Sequence, residues 1–357
     1  MTTRRPLPDH APEHESGSSP VHAVDSSAGI GGYRLAQTDP LDRAPRKILE
    51  LWADNGLTGI RIEGSSWEEL AILRELVRLR VNDGQPVPRI AGGGPVLVDT
   101  VPASDREYWI GDRRSLRAAL ETVLAHGVGW VGMRLRGPDW VRPLIEAAHA
   151  AGLRVAYRGP WEGTAHLAPG DHLPAAADVL GGLGQAPLQL LHRWAQEPEK
   201  GEDRLAWARS AGLTVGSGLM ALRRSVFLRE ALDAPFLEEL EPILPHSAHL
   251  REMKRPGGYL AGKRLLRQHT GLAEPSRSDG SLAEDGWGRL LSALGSVPEP
   301  LVPATRTPQL TSLPGYAWHE ECALLKHAGV PDPGSRGAGL LTGPFAAPVD
   351  TVDTEIQ

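Results

Sequence analysis

Short apolar runs alternating with amphipathic helical stretches constrain this chain more than any other feature of it. The runs GIGGYRL (29–35), LTGIRIE (57–63), VPRIAGG (87–93), VGWVGMRLR (128–136), LRVAYR (153–158), LQLLH (188–192), LTVGSG (213–218) and PLVPATR (300–306) read as strands. Between them lie the helical patterns APRKILELWADNG, SWEELAILRELVRLR, RRSLRAALETVLAHG, DWVRPLIEAAHAAG and RLAWARSAG, several stopping on the glycine that commonly ends a helix. Pro143 is compatible with its helix only in the first turn. Strands separated by helices form a parallel sheet, because each crossover returns the chain to the same end. The fold class is therefore α/β, and eight such units close as a (β/α)8 TIM barrel, with an open doubly wound sheet as the rival. No G-x-G-x-x-G follows a strand, which removes the simplest dinucleotide-binding form of that rival.

The 357 residues divide into three segments. Residues 1–27 are rich in Pro, His, Ser and acid, with little to bury, and are expected to be disordered. Residues 28–330 carry the barrel pattern, with a long helical insertion at about 219–299 between the seventh and eighth strands that could serve as a lid. Residues 331–357 read as an irregular Pro/Gly-rich tail.

A net charge of −6 gives no electrostatic footprint for nucleic acid. No apolar run is long enough to span a bilayer, and the first residues lack the apolar core of a secretory signal, so a cytoplasmic location is expected. The single Cys322 excludes an internal disulfide and a cysteine-built zinc site. Of 38 basic residues 33 are Arg, the mark of GC-rich coding, so a lone arginine says little. The oligomeric state is not readable.

The strand ends carry a resemblance. AHAAGLRVAYRG is similar to the fifth strand of the amidohydrolase superfamily, in its imidazolonepropionase and Xaa-Pro dipeptidase-like branch. LTGIRIEGS, PRIAGGGP, HGVGWVGMRLRG, PLVPATRTP and LPGYAWHEECALLKHAGV resemble other segments of that branch, in the same order, across roughly residues 29–330. The resemblance implies a TIM barrel of amidohydrolase type, here without the β-sandwich domain that accompanies it in the family. It also implies a metal centre: H-x-H on the first strand, a modified lysine on the fourth, histidines on the fifth and sixth, and an aspartate on the eighth.

At those positions this sequence departs from the family. Gly32 and Arg34 align with H-x-H, Gly132 with the lysine, Arg158 with the fifth-strand histidine and Arg306 with the aspartate, while His192 is read as the retained histidine. One histidine among three guanidiniums does not make a divalent-metal site, so no metal and no other cofactor is expected. Three arginines among the lost ligands exceed what the chain's own arginine frequency supplies. They repel one another unless anions lie between them. Glu63, at the end of the second strand, is the nearest internal carboxylate, and one carboxylate does not balance three arginines.

Other residues are read conservatively. Tyr157 points away from the lumen by strand alternation and packs in the core. His166 and His172 are read as loop histidines. HEEC (319–322) is not H-E-x-x-H and is assigned to a helix start on the surface, and AGGGP lacks the Lys-Ser/Thr of a phosphate loop. Most tryptophans pack between barrel and helices, with Trp161 able to wall a pocket.

The leading expectation is a metal-free amidohydrolase-like barrel that binds an anionic or carbonyl-bearing small molecule through Arg34, Arg158 and Arg306. As an enzyme it would be a lyase, isomerase, cyclase or metal-independent hydrolase, with His192 or Glu63 moving a proton. Two alternatives stay open: a non-catalytic pseudoenzyme serving as partner or scaffold, and a metal-dependent C–N hydrolase with unrecognised ligands.

Overall fold

The computed structural model describes residues 21–25, 43–102, 106–181, 186–227, 277–297, 301–305 and 315–333. The strands are β1 Val21–Asp25, β2 Leu57–Ile62, β3 Arg89–Gly92, β4 Val96–Val98, β5 Glu107–Trp109, β6 Trp130–Arg134, β7 Arg154–Arg158, β8 His172–Leu173, β9 Thr214–Gly216, β10 Leu301–Val302 and β11 Ala304–Thr305. The helices are α1 Arg43–Asp54, α2 Trp67–Asn82, α3 Arg113–Ala125, α4 Val141–Ala150, α5 Pro187–Gln196, α6 Pro198–Ser210, α7 Leu219–Val226, α8 Arg277–Ser296 and α9 Tyr316–His327.

All pairings among these strands are parallel. One run has the order β11-β1-β2-β3 and the other β10-β9-β8-β7-β6-β4-β5. Only residues 93–95 separate β3 from β4, and only Pro303 separates β10 from β11. Proline has no N–H to give the ladder, which accounts for the second break. Main-chain bonds continue beside both interruptions: Gly93 N to Ile62 O at 3.0 Å, and Ser217 N to Val302 O at 3.0 Å. The architecture is α/β, a parallel sheet covered by helices, as the alternation implies.

Period-two alternation sorts the strand residues. On β6 and β7, Val131, Met133, Val155 and Tyr157 are buried in the same cluster as Leu144, Ile145 and Ala148 of α4. Trp130, Gly132 and Arg134, like Arg154, Ala156 and Arg158, alternate onto the other face. Tyr157 is core, as expected, and its hydroxyl donates to the Pro160 carbonyl at 2.8 Å. Burial raises the pKa of that phenol, with Glu162 and Asp99 adding to the effect.

Local signals set the helix ends. Ser66 and Glu69 form a reciprocal capping box on α2, and Asp112 accepts from the Ser115 N–H at 2.7 Å to start α3. Pro143 falls in the first turn of α4. Gly286 of α8 faces α5 so closely that a Cβ there would stand 1.8 Å from the Leu191 carbonyl oxygen. No described helix is long and apolar enough to cross a membrane.

The structure corrects three expectations. Val21–Asp25, expected within the disordered leader, form β1 between β2 and β11. LQLLH is not a strand but the middle of α5, with Pro187 opening that helix. The sixth strand position belongs to β8, so His172 is a buried strand residue and not a loop histidine. GIGGYRL, residues 1–20 and 334–357, and the middle of the insertion (228–276) lie outside the described residues, while its two ends are helical as expected.

Candidate functional site

Residues of β2, β6 and β8, with the residue that follows β2, converge on a buried ionic cluster. Arg61 lies on β2 and Glu63 just beyond it, on one face by alternation. His172 comes from β8, four places away in the order β2, β3/β4, β6, β7, β8. Even so, its Nε2 lies 2.9 Å from Glu63 Oε1, and the side chains are 0% and 4% exposed. The two side chains are therefore neighbours although β2 and β8 belong to different strand runs. The Arg61 guanidinium stands 3.7 Å from the same carboxylate oxygen and 4.2 Å above the Trp130 ring. Stacking on an aromatic face suits a guanidinium, which is weakly hydrated.

Hydrogen-bond bookkeeping assigns the protons. Thr214 Oγ1 donates its single hydrogen to the Asp171 carbonyl at 3.2 Å. It must then accept from His172 Nδ1, 2.9 Å away, so Nδ1 carries hydrogen. Nε2 faces a carboxylate oxygen, and a proton has to lie between the two. Burial alone would raise the pKa of Glu63, but His172, Arg61 and Arg158 outweigh it and hold the carboxyl below its usual range. The contact has the distance of a hydrogen bond without its alignment. Both Glu63 oxygens, His172 Nε2, Arg61 Nε and Ser65 Oγ are buried with no hydrogen bond completed.

Toward the mouth, Arg134 and Arg158 are register partners on β6 and β7. Each is held by an acid: Arg134 by Glu107, and Arg158 by Asp178, whose Oδ2 accepts from Nε at 2.9 Å and Nη2 at 2.6 Å. Arg158 is therefore at a strand end, as the sequence implied, but Asp178 already neutralises it. Its side chain remains 27% exposed.

The other sequence candidates fall elsewhere. Arg34 and Arg306 lie outside the described residues. His192 sits on α5 and contacts the Asp279 carbonyl of α8 through Nε2 at 3.1 Å, a bond between two helices and not at a strand end. The Trp161 ring receives the Arg204 guanidinium at 4.7 Å and packs edge-on against Trp207.

HEEC is also not a surface feature. Glu321 is fully buried, and its two oxygens accept from the Leu219 N–H at 2.6 Å and the Met220 N–H at 2.8 Å. A carboxylate from α9 thereby caps the first turn of α7. Burial pushes its pKa up to about 7 despite the hydrogen bonds from Ser217, Met220 and Leu219. Burial also raises the Cys322 thiol.

Of the positions that the resemblance gives to metal ligands, the fourth, fifth and sixth strands lie among the described residues, and their side chains do not offer a ligand set. A Cβ on Gly132 would stand 2.9 Å from the Glu63 carbonyl oxygen, so the fourth-strand position has no room for a ligand side chain. The fifth-strand position carries Arg158, and the sixth-strand histidine is engaged by Glu63 and Thr214. Among the described residues no three His, Cys, Asp or Glu side chains converge as metal ligands.

No family model matches the sequence, and no curated protein sequence matches it. In three dimensions the chain is similar to the bottromycin amidohydrolase, with a TM-score of 0.58 and 16% identity over 90% of this chain. It spans 66% of that protein's length, just under two thirds. Weaker likenesses include A. niger ochratoxinase, at TM-score 0.49 and 10% identity over 92% of this chain and 72% of that one. A Xaa-Pro dipeptidase with bound methionine follows at TM-score 0.47 and 12% identity, over 90% of this chain and 75% of that one. The first of these carries the fold: this chain has an α/β architecture shared with an amidohydrolase.

Proposed function

We propose that this chain is a (β/α)8 barrel of amidohydrolase type, closed through the interrupted strands at 92–96 and 302–304, that works without a metal. In this reading it binds an anionic or carbonyl-bearing small molecule at the strand C-terminal ends. The observation that carries the proposal is the buried Glu63–His172 contact at 2.9 Å, His172 standing at the sixth-strand position that the resemblance gives to a metal-binding histidine. Arg158, partly exposed at the end of β7, would take the ligand's anionic group or carbonyl oxygen, with Arg34 and Arg306 assigned to the same mouth from the sequence. A guanidinium polarises a carbonyl by charge-assisted hydrogen bonds. The pair beneath it holds one transferable proton, which suits a lyase, isomerase, cyclase or hydrolase step by general acid–base chemistry. In this assignment His172 replaces His192.

A non-catalytic partner or scaffold is the second reading, favoured by the near-complete burial of both members of the pair. Native mass spectrometry with elemental analysis on the freshly purified chain separates the two. A co-purifying small anion, lost in Arg158→Ala, supports the ligand-binding barrel. Neither ligand nor metal transfers the weight to the scaffold, and stoichiometric zinc, iron or manganese overturns the metal-free assignment.

A further inference from the structure

The sheet ends on one side in an open edge of uncommon composition. β5 pairs with β4 in the register Val96↔Glu107, Leu97↔Tyr108 and Val98↔Trp109, and is the last strand of its run. Val96 N donates to Arg106 O at 2.7 Å and Ile110 N to Val98 O at 2.8 Å, so Arg106 and Ile110 turn their main-chain groups inward. Alternation then turns the Trp109 N–H and carbonyl toward the outer edge. No described strand lies along that edge.

Open edges are ordinarily blunted with lysine, proline or a bulge. This one presents Tyr108 and Trp109, 37% and 52% exposed. The Trp109 ring closes over Gly111, where a Cβ would meet it at 2.1 Å, so the indole is held as a platform instead of swinging free. Asp112 ends the turn, and the exposed Arg113 and Arg114 follow at once in the first turn of α3. Neither arginine forms an ion pair with a described residue. Outward main-chain groups, the Trp109 ring and two guanidiniums thus lie close together along one exposed edge, with the Tyr108 ring on the opposite face of β5.

We propose that this edge docks an extended acidic segment of a partner protein by strand addition. The partner's backbone continues the ladder at Trp109, its apolar side chains lie on the Trp109 face, and a carboxylate meets Arg113 and Arg114. The proposal is independent of the strand-end cluster, because none of these residues belongs to it.

The test uses the full chain and a labelled peptide of about seven residues alternating Val and Asp, long enough to cover a strand. The expected result is saturable binding that weakens at least about tenfold in Trp109→Ala and in the double variant Arg113→Glu/Arg114→Glu. Replacing Asp by Lys in the peptide, or methylating alternate amide nitrogens, should weaken it as much. Bound peptide should also slow hydrogen exchange at the Trp109 amide. All three substituted side chains are exposed, so unfolding midpoints should stay at the wild-type value. Absence of binding, or equal binding by these variants or by the methylated peptide, overturns the proposal.

Discussion

Glu63, just past the end of β2, and His172 of β8 belong to different strand runs, yet their side chains approach to 2.9 Å. Such a contact braces the two runs, and removing one member leaves the other buried in a medium that solvates it poorly. Glu63→Ala and His172→Ala should each cost about 3 kcal/mol, the lower end for breaking a buried pair. The double variant should cost clearly less than the sum. Urea unfolding of the four proteins in the cycle measures the coupling, and additive losses would show that the two do not interact.

Arg158 offers a cleaner handle on ligand binding. Its bridge to Asp178 leaves the side chains 27% and 30% exposed, and solvent screens such a pair. Arg158→Ala should therefore cost no more than about 1 kcal/mol in stability. Loss of the co-purifying anion in a variant whose urea midpoint has hardly moved would locate the ligand at the strand ends.

Glu321 makes stability depend on pH in a definite direction. Its carboxyl has a folded pKa of about 7 against 4.5 for a free glutamate, so the folded state holds a proton that the unfolded chain releases first. Stability is full below pH 4.5, falls as pH rises through that window, and the loss is complete above about 7. The full loss is about 3 kcal/mol at the usual exchange between pKa and free energy. Unfolding free energies measured from pH 5 to 8 should decline, and Glu321→Gln should flatten this part of the profile. A variant whose slope matches the wild type would assign the decline elsewhere.

Two glycines on α8 should respond oppositely to alanine. At Gly286 a Cβ would stand 1.8 Å from the Leu191 carbonyl oxygen, whereas at Gly288 nothing lies within 4 Å. Gly286→Ala should destabilise by about 1–3 kcal/mol through forced separation of α5 and α8. Gly288→Ala should stabilise by up to about 1 kcal/mol through helix propensity alone. Thermal melts of the pair decide it, with equal shifts counting against the close packing.

The alternation of strand and helix was legible because it repeats, and because long amphipathic helices declare their period. What escaped was short or ambiguous. β1 is five residues in a polar leader, and β8 is two, so neither shows a pattern of its own. LQLL is a short apolar run that serves equally in a helix, and Pro187 ahead of it was the signal that would have decided. That one misplacement moved the sixth-strand histidine from 172 to 192. Arg158 and Glu63 were found at strand ends because each closes a clear apolar run. Their partners Asp178 and His172 were not, since ion pairs across a sheet leave no spacing in the chain. Glu321 looked like a surface acid for the same reason: only the fold brings α7 over it.

β1 lies between β2 and β11, pairing Val24 with Arg61 on one side and with Ala304 on the other. One neighbour is close in the chain and the other is far along it. A ribosome making this protein releases β1 and β2 long before β11. Until then β1 has a bare flank, a template for any passing strand. Folding of the sheet is thus gated by elongation, and slow codons or a stalled chain ahead of residue 301 would prolong the interval in which aggregation competes with completion.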